Sequence, residues 1–251
     1  CEKKQEEATS GRKSELLIVE NSDGEQSQGF VLEDDGDIIV PADFVGDDKE
    51  VKLTLPDGTK TTATVWSRNP ESNVAVLSVS NPSALTSSGV QPVTVSQTQA
   101  SVNSSEYVYI LHTVNGQEVK SQARVVERGQ KNGTEYILAD MNSSPDGLTG
   151  CPVYSAAGSF VGTVAYVDSG ASRVVIMPAS SLSQEVSHQK SEPQTVKSTE
   201  QSSGNVYSRI ITEEPETTKV IRSTTAAAVQ ASDREKAPQT NAAQMETAQS
   251  H

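Results

Sequence analysis

Hydrophobic positions in this chain come in short runs, alternating or unbroken, and none repeats with a helical period. The runs are Leu16–Glu20, Phe30–Glu33, Ile38–Pro41, Glu50–Leu55, Thr61–Ser67, Val74–Val79, Val93–Val95, Tyr107–Leu111, Val119–Val126, Tyr136–Ala139, Pro152–Tyr154, Phe160–Val167 and Arg173–Pro178. Valine outnumbers leucine in them, and β-branched side chains suit a pleated, half-buried surface. The breaks carry Asp35-Gly36, Asp57-Gly58, Asp146-Gly147, Asn115-Gly116 and Asn132-Gly133, together with Asn69-Pro70 and Asn81-Pro82. Asn-Gly and Asp-Gly between strands are hairpin signals, because both turn positions need φ > 0. Some thirteen short strands separated by turns predict an all-β fold, a sandwich or a pair of barrels. Ser180–Ser187 reads as a short terminal helix.

The pattern stops near residue 185. Leu, Ile, Val and Phe make up 44 of the 171 residues from Glu15 to Glu185, but 8 of the 66 from Val186 to His251. So few large apolar side chains cannot offset the entropy of ordering a chain. The organisation predicted is a polar tether over 1–14, a folded domain over 15–185 and a largely disordered polar tail over 186–251. Within the tail, Val206–Ile211 and Lys219–Arg222 read as strands able to pair with something, and Thr224–Gln230 as a helix formed on binding. The domain holds 22 acids and 9 bases, so the whole net charge of −13 belongs to its surface. That argues against nucleic acid, which needs a positive footprint. No apolar run reaches the length of about 18 residues that a membrane-spanning helix needs.

Cys1 is followed by a charged, polar stretch. A processed bacterial lipoprotein begins this way, with the cysteine acylated, and the expectation is a lipid-anchored protein of the cell envelope, in the outer membrane or periplasm or at the cell surface. A fragment that happens to start at cysteine, and a Cys1–Cys151 disulfide, are the alternatives.

Four segments, in order, resemble the trypsin-like HtrA (Deg) serine proteases. Gly29–Val45 is similar to the strand, acidic hairpin and strand that lead into the segment carrying the general-base histidine. Val51–Gly58 is similar to the next hairpin. Asn69-Pro70-Glu71-Ser72-Asn73-Val74-Ala75-Val76-Leu77 is similar to the segment carrying the triad aspartate. Gly147-Leu148-Thr149-Gly150-Cys151-Pro152-Val153 is similar to the nucleophile segment, and Tyr154–Val167 to the hairpin after it. The resemblance covers about 16–182 and implies two six-stranded β-barrels with the site between them.

It also implies that the chemistry is gone. The histidine position holds Asp43, the aspartate position Asn73 and the serine position Thr149. The triad needs a base within hydrogen-bond reach of the hydroxyl and a carboxylate to orient that base. An aspartate with a pKa near 3.9 is a poor base for a hydroxyl. His112, His188 and His251 are the only imidazoles; by the resemblance His112 falls in the second barrel away from the cleft. Thr149 paired with Asp43 reads as a hydrogen-bonded remnant more readily than as a dyad. Cys151 has no neighbouring cation to stabilise a thiolate and reads as a small buried apolar residue. Gly147 and Thr149 can still offer backbone N–H groups as an oxyanion-like turn. The acidic stretch Glu33–Glu50, with Asp34, Asp35 and Asp37 as weak calcium candidates, lacks the spacing of a calcium loop and reads as a solvated face. Trp66 reads as core. No cofactor is implied.

The expectation is therefore a pseudoprotease that binds other envelope proteins as a scaffold or accessory subunit. The contact would be the old cleft, an exposed strand edge (able to add a peptide strand) or the tail. The alternatives are an unconventional active serine/threonine-type endopeptidase and a peptide sensor using the former substrate cleft.

Overall fold

Twelve strands close into two six-stranded antiparallel barrels in the computed structural model of the chain. It describes residues 11–33, 35–96, 102–193 and 204–212. Cys1, Asp34, Lys219–Arg222 and Thr224–Gln230 lie outside the described residues. The first barrel consists of β1 (Leu16–Glu20), β2 (Gln26–Leu32), β3 (Asp37–Val40), β4 (Glu50–Thr54), β5 (Lys60–Asn69) and β6 (Val74–Ser78), in the order β1-β2-β3-β6-β5-β4. The second consists of β7 (Tyr107–Val114), β8 (Gln117–Lys131), β9 (Thr134–Met141), β10 (Pro152–Ser155), β11 (Phe160–Asp168) and β12 (Arg173–Pro178), in the order β10-β11-β12-β9-β8-β7. Ladder closure gives each strand two neighbours over part of its length, while Leu111–Val114 of β7 and Gln117–Gln122 of β8 pair on one side only.

The hairpin chemistry follows the sequence. Asn115-Gly116 and Asn132-Gly133 are two-residue links with φ near 50° at Asn and near 80° at Gly, as the twist-matched hairpin turn requires. The strands expected at Leu16–Glu20 and Arg173–Pro178 have those bounds. Val93–Val95 is not a strand; Val93 forms a single bridge to Leu32. Two short helices occupy places read as turns: α1 (Ala42–Val45) and α2 (Pro82–Ser87).

Each barrel is filled by its own cluster, around Leu17, Ile38, Leu53 and Leu77 in the first and Ile110, Ile137, Val161 and Ile176 in the second. A third cluster lies between them. Phe30, Ile39 and Val76 from one barrel meet Leu138, Phe160, Val175 and Met177 from the other. Phe30 and Phe160 pack edge to face, centroids 5.9 Å apart at 62°, a preferred geometry for ring quadrupoles. Trp66 is half-buried against this cluster.

Two further helices belong to the same compact unit. The terminal helix is longer than anticipated: α3 runs Ala179–Ser191 and buries Ala179, Leu182, Val186 and Gln189. Lys190 at its far end holds both Asp35 (3.3 Å) and Asp37 (2.8 Å). Val206–Ile211, expected as a strand in a disordered tail, is instead the helix α4 (Val206–Thr212). Its β-branched and aromatic residues, which favour strands, are overridden by a local cap. Asn205 Oδ1 accepts from the N–H groups of Tyr207 (2.9 Å) and Ser208 (3.0 Å), which satisfies two of a helix's orphan donors. Tyr207 is only 3% exposed and joins the inter-barrel cluster. Among the described residues no helix is long and apolar enough to cross a membrane.

Candidate ligand cleft

Asp43, Asn73 and Thr149 reach one cleft of about 520 Å³ between the barrels. Asp43 is presented by α1, Asn73 by the turn before β6 and Thr149 by the loop before β10. Two contacts fix this meeting. Pro41 precedes α1 and has no side-chain donor or acceptor to cap it. Asn73 supplies the cap from outside: its backbone carbonyl accepts from Ala42 N (3.2 Å) and its Oδ1 from Asp43 N (2.9 Å). Asn73 is buried at φ 56°, a left-handed conformation that asparagine tolerates better than most residues. On the other side, Gly150 at φ 86° lies so close to Pro41 that a Cβ there would meet the ring carbons at 2.6 and 2.7 Å. The missing side chain lets the Thr149 loop rest on the entry to α1.

The Thr149 loop is a tight turn. Leu148 N donates to Pro145 O and Cys151 N to Leu148 O. Gly150 N and Val164 O, with Val164 N and Cys151 O, then stitch it to β11. Of the two residues of the anticipated oxyanion-like turn, Thr149 lines the cleft and Gly147 does not. Thr149 Oγ1 and the Asp43 carboxylate share no hydrogen bond, so the expected remnant pair is not formed; Asn73 bonds the Asp43 backbone instead.

No histidine lines the cleft. His112 sits on β7, its Nε2 2.7 Å from Ser121 Oγ, and partial burial pulls its pKa below 6.5. His188 faces a different groove, beside Glu185 and Tyr207. Cys151 is 1% exposed and its thiol is pushed up to about 12 by burial, so at neutral pH it holds its proton and is a poor nucleophile. Asp35 and Asp37 accept from the Lys190 ammonium rather than facing an open cation site. Among the described residues no group of three or more His, Cys, Asp or Glu side chains could hold a metal ion.

Sequence reasoning missed Asp47, Arg68, Tyr166, Gly204 and Asn205, which also line the cleft. Arg68 donates from Nη2 to Asp48 O (2.5 Å), while its Nη1 is buried with no partner. A bulge at Ala165 interrupts the β11–β12 ladder, and Asn205 Nδ2 reaches Ala165 O at 3.5 Å. Arg68 follows the alternation of β5 and carries no motif. Asn205 lies in a stretch whose composition argued against any structure.

The likeness to known proteins agrees with this geometry. Residues 27–162 match the family described as trypsin-like peptidase domain. No curated protein matches the chain in sequence. Among solved structures, an inactive mutant form of Rv3671c from M. tuberculosis H37Rv superposes with a TM-score of 0.57 at 17% identity, over 73% of this chain and 89% of that one. Deg5 gives 0.56 at 16%, over 72% and 91%. The HtrA-type protease AlgW with tripeptide gives 0.55 at 17%, over 74% and 63%. Those identities carry the fold, two barrels with the cleft between them. With more than half its length matched by the family's own pattern, the chain belongs to the trypsin-like peptidase domain family.

Proposed function

We propose that this chain is a non-catalytic member of that family, which uses the cleft to bind another protein as a scaffold or accessory subunit of an envelope complex. The observation that carries this is the cleft itself. The three positions that would hold base, orienting carboxylate and nucleophile come together, yet they bring a carboxylate, a carboxamide and a threonine hydroxyl with no imidazole among them. Losing a triad as a unit removes most of the rate it supplies. What supports recognition is the lining of the cleft, where Asp43, Asp47, Arg68 and Thr149 bring charged and polar groups beside the apolar Ala42, Pro70, Ala165 and Val167.

Two measurements test the reading. The full chain, incubated with casein and with a fluorophosphonate probe, gives no cleavage and no label on Thr149. Cleavage that Thr149→Ala abolishes would sink the proposal. Extraction from native membranes in mild detergent yields the chain with a stoichiometric protein partner; elution alone counts against the scaffold role.

A further inference from the structure

The wall of the cleft on the β11 side is made by a piece of the chain from outside both barrels. Gly204 and Asn205 line the cleft together with Asp43, Asn73 and Thr149. Their segment is held at three points. Val206 N donates to Glu71 O at 2.9 Å, and Arg209 Nη2 lies 2.6 Å from Glu71 Oε2, so one residue beside the Asn73 turn receives both a main-chain and a side-chain contact. Asn205 Nδ2 reaches the carbonyl that the β11 bulge leaves out of the ladder. Tyr207 fills the space against β11, β12 and α3, with Val206, Ile210 and Ile211 half-buried around it.

We propose that residues 204–212 are a displaceable internal ligand of the cleft. In this reading a partner's short helix takes the segment's place if it carries Asn as its cap, Tyr two residues on and Arg four residues on. The inference rests on the protein-binding reading above and names the kind of peptide that the surface fits. Displaceability follows from how the segment is held. A helix of seven residues has no stability of its own in water, so α4 is formed only while docked. Its one large buried side chain is Tyr207, beside the small Ser208. The Arg209–Glu71 pair is half-exposed and screened by solvent and salt, and the Asn205–Ala165 contact is at the long limit of a hydrogen bond. Docking in cis is favoured by the high effective concentration that covalent attachment gives. Weakening one anchor therefore leaves the groove open to a free peptide of the same sequence.

The test uses the full chain and a fluorescently labelled synthetic peptide covering Gly204–Thr212. In the unmodified protein the amides of Tyr207 and Ser208 resist hydrogen exchange, and the labelled peptide finds its groove occupied. Tyr207→Ala speeds exchange across 204–212 by about 100-fold or more and lets the peptide bind saturably. Because Tyr207 joins the shared core, a second variant guards against misfolding. Arg209→Glu loosens the segment, and Glu71→Arg added to it restores protection. Full exchange at Tyr207 and Ser208 in the unmodified protein would overturn the proposal. So would unchanged protection in Tyr207→Ala, no rescue by the charge swap, or a released chain that ignores the peptide. Turnover of casein by the released variant would instead sink the non-catalytic reading and leave the docking intact, so the two failures are separable.

Discussion

At the scale of single residues, Asn73 has a structural role. Asn73 caps α1 and holds a left-handed backbone, so Asn73→Ala removes the cap and leaves a strained φ. The expected loss is about 1–2 kcal/mol, read from the shift of a urea midpoint at constant slope. Cys151 is expected to stay unmodified by iodoacetamide at pH 8 in the native protein and to react once denaturant is added, since burial holds its thiol protonated. Labelling at the native rate of a free thiol would contradict that burial. His112 gives a pH signature whose sign is fixed. Its folded pKa lies below the ordinary 6.5 because its ring is partly desolvated. Between that lower value and 6.5 the unfolded chain binds the proton more readily, so stability falls as pH drops through this window. His112→Gln flattens that fall in a series of urea melts, and an unchanged slope would remove His112 as its source.

At the scale of elements, Gly150 is the position where two segments can approach only without a side chain. Gly150→Ala combines a positive φ with a clash on the Pro41 ring. The variant is expected to lose about 1–3 kcal/mol and to raise the hydrogen exchange of the Thr149 loop before that of the barrels. This scale also shows what the sequence could and could not tell. The Asn-Gly hairpins were legible because the turn demands those residues locally, whatever the rest of the fold does. That Asp43, Asn73 and Thr149 share one cleft was legible through a resemblance spread over four segments in order. By contrast α1 and α2 are a turn or two long, begin at Pro41 and Asn81-Pro82, and carry no periodicity to detect. Helix α4 was misread because Val206, Tyr207, Ile210 and Ile211 are residue types that favour strands, while the deciding cap, Asn205 Oδ1, acts on the backbone. Composition counts apolar residues and cannot see that one tyrosine has a socket.

At the scale of the whole molecule, the cluster between the barrels decides how the chain unfolds. Phe30, Phe160, Leu182 and Tyr207 tie both barrels and two helices into one apolar body. Calorimetry on the full chain is therefore expected to show one transition for the barrels, with calorimetric and van't Hoff enthalpies equal. Phe160→Ala is expected to lose about 3–5 kcal/mol without splitting that transition; two resolved peaks would mean the barrels are energetically separate. The acidic surface follows from the same plan, since the −13 of the sequence sits outside these closed cores and keeps copies of the chain apart.

Closure of both ladders reaches beyond the cleft. A sheet with a bare margin is a template on which a neighbour's backbone can register, and long, flat margins seed cross-β fibrils. In this chain both barrels close, and the margin that remains is short and charged: Leu111–Val114 of β7 and Gln117–Gln122 of β8, with Glu118 and Lys120, pair on one side only. Dense, crowded solutions of the folded protein are accordingly expected to stay free of thioflavin-positive material, and fibre growth to begin only once heat or denaturant has opened a barrel.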